Sequence, residues 1–160
     1  LRLQRPGWQP AAGVAWHWAE DLAHAAALVP ELGSRAFLTT GRQGLAAFAG
    51  LPDVWFLVRC VDPPEPSKGE RLPQRHELLL ARGPYTVDAE LDLMRRYAVD
   101  VLVTKDSGGS MTEAKLHAAG HLAIPVIVVR RPARPLAQTV TSVDDAAAWV
   151  RLVLEDAGEP

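Results

Sequence analysis

Apolar residues fall into two alternating kinds of run along this chain. Five runs are short and nearly unbroken: "RAFLTT" (35–40), "VWFLVRC" (54–60), "ELLLA" (77–81), "VDVLVTK" (99–105) and "IPVIVVR" (124–130). Runs of this kind are what parallel strands buried on both faces require. "LRLQR" and "VAWHWA" read as an opening pair of strands. Elsewhere the spacing becomes helical. In "TVDAELDLMRRYA", Thr86 stands where a cap belongs, acids fill the first turn, and Val87, Leu91, Met94 and Ala98 form one stripe. In "SMTEAKLHAAG", Ser110 and Glu113 have capping-box spacing and Gly120 suits the exit. "SVDDAAAWVRLVLE" repeats the device with Ser142 and Asp145 and places Val143, Ala147, Val150 and Leu154 on one side. "EDLAHAAALV" and "QGLAAFA" predict two further helices upstream.

Strands alternating with helices every two dozen residues or so predict right-handed crossovers in an open, mostly parallel sheet, a Rossmann-like α/β fold of about five strands. The interruption is "VDPPEPSKGERLPQRH" (61–76), whose prolines exclude a helix and mark a connector loop, either a plain surface loop or a strap for a partner. A chain of 160 residues reads as one domain. It opens on "LRLQRP" with no initiating methionine and a strand already under way, which reads as a fragment of a longer protein.

Charge and cysteine content narrow the function. A net charge of −2 lacks the basic excess of a nucleic-acid binder, so any anion site is local. The single cysteine, Cys60, has no internal disulfide partner, which fits a reducing cytoplasm. No run reaches the roughly 20 apolar residues of a membrane span, and no signal-peptide layout opens the chain. His17, His24 and His76 are scattered, and His117 with His121 would make a metal face only if a third ligand converged, so no metal is expected. Trp8, Trp16, Trp18, Trp55 and Trp149 read as packing residues, with Trp8 and Trp16 placed to cover a neighbouring domain. No triad order or carboxylate pair supports hydrolysis.

Ligands of open α/β sheets bind beyond the carboxyl ends of the strands, so the residues following each strand carry the chemistry. After 35–38, Thr39, Thr40, Gly41, Arg42 and Gln43 combine hydroxyls, a permissive glycine and a fork-shaped cation, as a phosphate site does; an ordinary βα turn is the other reading. After 99–103, Thr104, Lys105, Asp106, Ser107, Gly108 and Gly109 place a cation and two uncovered backbone units before a helix start, an anion cradle in principle. Glycines that only permit close packing, with a surface Lys105–Asp106 pair, give the alternative. After 77–81, Gly83 and Pro84 force a turn that aims Arg82 and Tyr85 outward, toward a flat carboxylate-bearing ligand or toward solvent.

Taken together, "LRLQRPGW", "FLTTGRQGLAAFAG", "WFLVRCVDPPEP", "ELLLARGPYTVDAEL" and "DVLVTKDSGGSMTEAKLHAAGHLAIPVIVVRRP" resemble the C-terminal half of the precorrin-6A reductases of cobalamin biosynthesis, nearly end to end. The resemblance implies an oxidoreductase that uses NADPH to reduce a ring double bond of the tetrapyrrole precorrin-6A, giving precorrin-6B. It also implies two Rossmann-like domains with the ligands between them, and hence a missing N-terminal domain without which this chain is inactive. By the same resemblance residues 39–43 and 105–109 line the cleft, with Arg82, Gly83 and Tyr85 on its rim and Lys105 or a water as proton donor. The 61–76 connector is longer than that family's norm. The rival readings are the nucleotide-sugar half of a two-domain glycosyltransferase, in which Glu113 grips a ribose, and a non-catalytic nucleotide-binding module.

Overall fold

The computed structural model describes residues 1–10, 14–65 and 71–156, so the "SKGE" part of the 61–76 connector lies outside the described residues. In chain order the elements are β1 (Arg2–Leu3), β2 (Trp16–Ala19), α1 (Leu22–Leu32), β3 (Arg35–Leu38), β4 (Trp55–Cys60), β5 (His76–Leu80), α2 (Val87–Arg96), β6 (Val101–Lys105), α3 (Ala114–His121), β7 (Val126–Val129), β8 (Thr139–Val140) and α4 (Val143–Asp156). Six of the strands form one parallel sheet in the order β2-β7-β6-β3-β4-β5, one strand more than expected. From β3 the chain adds β4 and β5 on one side, then returns to add β6 and β7 on the other. That reversal puts a topological switch point between β3 and β6, where such sheets open a crevice.

The apolar runs become the core because alternate residues face opposite ways. Leu38, Phe56, Val58, Val103 and Ile127 pack with Val29 of α1 and with Phe48, which lies in a 3-10 turn at Leu45–Phe48 where a helix was expected. Phe37, Leu57, Leu102, Val126 and Val128 pack on the other face with Met94 of α2 and Leu116 of α3. β5 departs from the buried-strand reading: it pairs only with β4 and ends the sheet, leaving Leu78 39% and Leu80 53% exposed. The expected opening pair does not form either. β2 lies against β7, while β1 makes a separate two-stranded parallel ribbon with β8.

Local chemistry explains most helix starts. The Asp21 carboxylate accepts from the His24 amide at 2.8 Å, the Thr86 hydroxyl from Ala89 at 3.3 Å, and the Ser142 hydroxyl from Asp145 at 3.0 Å. The expected Ser110–Glu113 box does not form. Residues Ser110–Thr112 close into a 3-10 turn, the Glu113 amide goes to the Ser110 carbonyl, and Glu113 itself stands before α3 with no side-chain cap. Nor does Gly120 end that helix, which continues to His121 and is turned by Ala123 at φ 54°. Ala98 leaves the α2 stripe because the helix stops at Arg96 and Ala98 takes φ 48°. On α4 the apolar side expected from the spacing is largely exposed, with Val143 71%, Val150 48% and Leu154 66% exposed. Among the described residues no helix is long and apolar enough to cross a membrane.

Candidate functional site

The two turns that flank the switch point leave neighbouring strands on one edge of the sheet. Thr39 ties them together: its amide and its hydroxyl both donate to the Val103 carbonyl, at 2.9 and 3.1 Å. Thr40 is 6% exposed and its hydroxyl has no partner among the described residues. Gly41, at φ 82°, borders open space, whereas a Cβ on Gly44, at φ 80°, would run into Leu22. Arg42 and Gln43 are exposed. The Arg42 charge is felt by Cys60 at the end of β4, whose thiol burial pushes up and Arg42 draws down. Because a 3-10 turn follows, no long helix aims its positive end at this bend.

The 104–109 turn differs from the open cradle expected of it. Thr104 is 1% exposed, shut inside the sheet and away from the cleft. Gly108 takes φ 63°, and the space where a Cβ would sit holds the Pro6 carbonyl and the Arg131 guanidinium. Gly109 is buried, with an Arg5 guanidinium nitrogen 3.1 Å from the position of a Cβ. The glycines are therefore needed where residues 5–8 cross this turn. Asp106 serves the same crossing: its carboxylate accepts from the Trp8 amide at 3.0 Å and pairs with Arg131 Nε at 3.1 Å. No helix dipole reinforces the turn, because a 3-10 segment intervenes and the carboxylate-bearing Glu113 heads α3. Lys105 and Ser107 remain exposed.

Beside that turn, above the ends of β6, β7 and β2, lies a cleft of about 860 Å³. Leu3, Leu22, Val129 and Pro132 give it apolar walls, Arg5, Lys105, Arg130, Arg131 and Arg134 give it cations, and Glu20, Asp21 and Asp106 are the acids on its lining. Arg130 is committed to Glu20 at 3.0 Å and lies 4.9 Å over the Trp18 ring. Arg5, Lys105 and Arg134 have no acidic partner within ion-pair distance among the described residues. Lys105, Asp106 and Ser107 reach this cleft; Thr39–Gln43 do not line it. Sequence reasoning missed the arginines, although "RRPAR" directly follows the last strand of the sheet, where the same search of strand ends would have found them.

The third turn also corrects an expectation. Arg82 is exposed beside the cis Gly83–Pro84 peptide, but Tyr85 turns inward. Its hydroxyl donates to the Ala81 carbonyl at 3.0 Å and its ring covers the Arg59 guanidinium at 3.9 Å. Arg59 is held on Glu90 through two contacts, 2.5 and 3.1 Å, with both side chains nearly sealed. Close by, Lys115 is 4% exposed, donates to the Thr112 carbonyl at 2.5 Å and faces the Trp8 ring at 4.7 Å. Burial, followed by the Arg59 charge, lowers its pKa to about 8, and Glu90 opposes that shift. Trp8, Trp16, Glu113, His117 and His121 border a separate groove of about 430 Å³, and no group of three or more metal-ligating side chains occurs among the described residues.

A doubly wound parallel sheet with a cleft at its carboxyl edge places this chain among the Rossmann-like α/β domains. More specifically, the chain belongs to the family described as Precorrin-6x reductase CbiJ/CobK, whose model matches residues 1–151. It is 54% identical over 149 residues to a Precorrin-6A reductase of Rhodococcus erythropolis, an alignment covering 92% of this chain and 58% of that protein. A Precorrin-6A reductase of Rhodobacter capsulatus is 37% identical over 148 residues, with the same coverage of 92% and 58%. The solved structure of a CobK precorrin-6A reductase superposes with a TM-score of 0.83 at 36% identity, covering 93% of this chain and 58% of that one. The chain thus spans less than two thirds of the length of these relatives.

Proposed function

We propose that this chain is the carboxy-terminal domain of an NADPH-dependent reductase that converts precorrin-6A to precorrin-6B, with an amino-terminal domain completing the site. Family membership supports the reaction class, and the 58% coverage of the relatives supports a second domain. The observation that carries the reading at residue level is the cleft at the carboxyl edge, where cations outnumber acids and Arg5, Lys105 and Arg134 form no ion pair among the described residues. Such a set suits a flat ligand edged with carboxylates. NADPH also fits the neighbouring turn, where Thr40 has an unsatisfied buried hydroxyl, Gly41 opens its backbone to space and Arg42 offers an exposed guanidinium. NADPH, when bound, supplies the hydride. The chain's own residues orient and neutralise the ligands, and Lys105 holds at Nζ the proton that the adjacent ring carbon takes up.

The nucleotide-sugar reading loses its ground in the structure, since Glu113 lies on the groove with His117 and not in the cationic cleft. Lys105→Met in the two-domain enzyme tests the proton role. Turnover falls about a hundredfold or more at unchanged NADPH affinity, as removal of a general acid does; undiminished turnover removes Lys105 from the reaction. The purified chain by itself is expected to show no reductase activity, and full activity would refute its dependence on a second domain.

A further inference from the structure

We infer that Arg5 is a ligand-binding residue of the cleft and that Arg131 is the positioning residue that holds it there; this rests on the reading of the cleft as an anion site. Arg131 occupies the crossing of three segments. Its Nε donates to the Asp106 carbonyl at 2.8 Å, Nη1 to the Arg5 carbonyl at 2.6 Å and Nη2 to the Pro6 carbonyl at 3.1 Å. The Asp106 carboxylate closes the pair on one side and takes the Trp8 amide on the other. A guanidinium satisfies these acceptors at once because its donors lie fixed in one plane; a lysine offers a single point of charge.

The consequence falls on the cleft wall. Leu3, Gln4 and Arg5 form one side of it, Lys105 and Ser107 another, and Arg131 joins the two through Arg5 and Asp106. Gly7 and Gly108 show how closely the segments of this crossing approach: a Cβ on Gly7 would lie 2.7 Å from the Asp106 carboxylate, and one on Gly108 would strike the Pro6 carbonyl. Arg5 is exposed and has no acidic partner among the described residues, so its charge is left for a ligand. Each of the three guanidinium nitrogens of Arg131 is engaged on the protein, and Arg131 acts through Arg5.

Calorimetry on the two-domain enzyme tests the assignment with two probes of anionic oxygen: uroporphyrin III, a carboxylate-edged macrocycle, and NADP⁺ with NAD⁺ as its control lacking the 2′-phosphate. Arg5→Gln, a substitution of an exposed side chain, weakens one probe about tenfold or more, and which probe identifies the oxygen Arg5 serves. Arg131→Lys, which keeps the charge beside Asp106, weakens the same probe by a similar factor. In the Arg5→Gln background Arg131→Lys has little further effect, because its action runs through a side chain already gone. Equal affinity in Arg5→Gln, or an Arg131→Lys loss undiminished in that background, overturns the inference while leaving the cleft as a ligand site. Wild-type two-domain enzyme that binds neither probe overturns both.

Discussion

Two clusters of charge lie along the same carboxyl edge and are built oppositely. On the α2–α3 side, Arg59 and Glu90 are 6% and 2% exposed and sealed by Phe37 and Tyr85, with Lys115 buried close by. On the other side, Arg5, Lys105 and Arg134 line an open cleft without acidic partners among the described residues. A charge buried without a counter-charge costs several kcal/mol, so the first cluster is committed to architecture. A solvated, unpaired cation costs little and remains available to bind. Exposure and pairing, more than residue type, separate the groups that hold the fold from those left available to a ligand.

The contrast can be broken most forcefully at Glu90. Glu90→Gln leaves Arg59 dry without its counter-charge, and unfolding in urea should show a loss of about 3–5 kcal/mol. Arg59→Met with Glu90→Leu removes both charges and should recover most of that loss; a double variant as unstable as the single one would mean that the pair is not what matters there.

Next in size is a pH effect. Lys115 holds its proton less tightly in the folded chain, near pH 8, than at its ordinary 10.5. Between those values the unfolded state binds more protons, so stability rises with pH through this window, is complete above about 10.5, and is lost as pH falls through 8. The full contribution is about 3 kcal/mol. Comparing urea unfolding of wild type and Lys115→Met across the window isolates it. Parallel curves for the two proteins would contradict the burial of that ammonium.

Lys105→Met should change stability by less than about 0.5 kcal/mol, as exposed substitutions do, while weakening binding of an anionic macrocycle. A large stability loss would move Lys105 into the architectural class. The smallest effect is expected on α4, where Leu154→Ser at a 66% exposed position should cost under about 0.5 kcal/mol. A loss of roughly 2 kcal/mol would instead indicate a buried leucine.

What the sequence made legible follows the range of the forces involved. The unbroken runs at 35–38, 55–60 and 101–105 became central strands, because burial on both faces leaves no other composition. Thr86 and Ser142 were readable as caps since each acts on an amide three residues on. Ser110 and Glu113 show the same spacing, yet tertiary crowding by residues 5–8 accompanies a 3-10 turn there, and spacing alone carries no trace of that. The turns at 39–43 and 105–109 were readable as strand ends, but their adjacency depends on β3 pairing with β6, a contact 60-odd residues apart. Glu90 and Lys115 look like the solvent face of amphipathic helices; only the arrival of Arg59, Tyr85 and Trp8 from distant segments buries them. Arg131 was hidden for a similar reason, since its acceptors come from residues 5, 6 and 106.

The most direct test of a ligand cleft at this edge is chemical-shift mapping of the ¹⁵N-labelled two-domain enzyme during titration with a carboxylate-edged tetrapyrrole and with NADPH. Amides of residues 105–109, 129–131 and 133–134 should move saturably with the tetrapyrrole and those of 39–43 with NADPH, while those bordering the Glu113–His117–His121 groove stay still. Shifts confined to that groove, or no saturable shift with either ligand, would contradict the assignment.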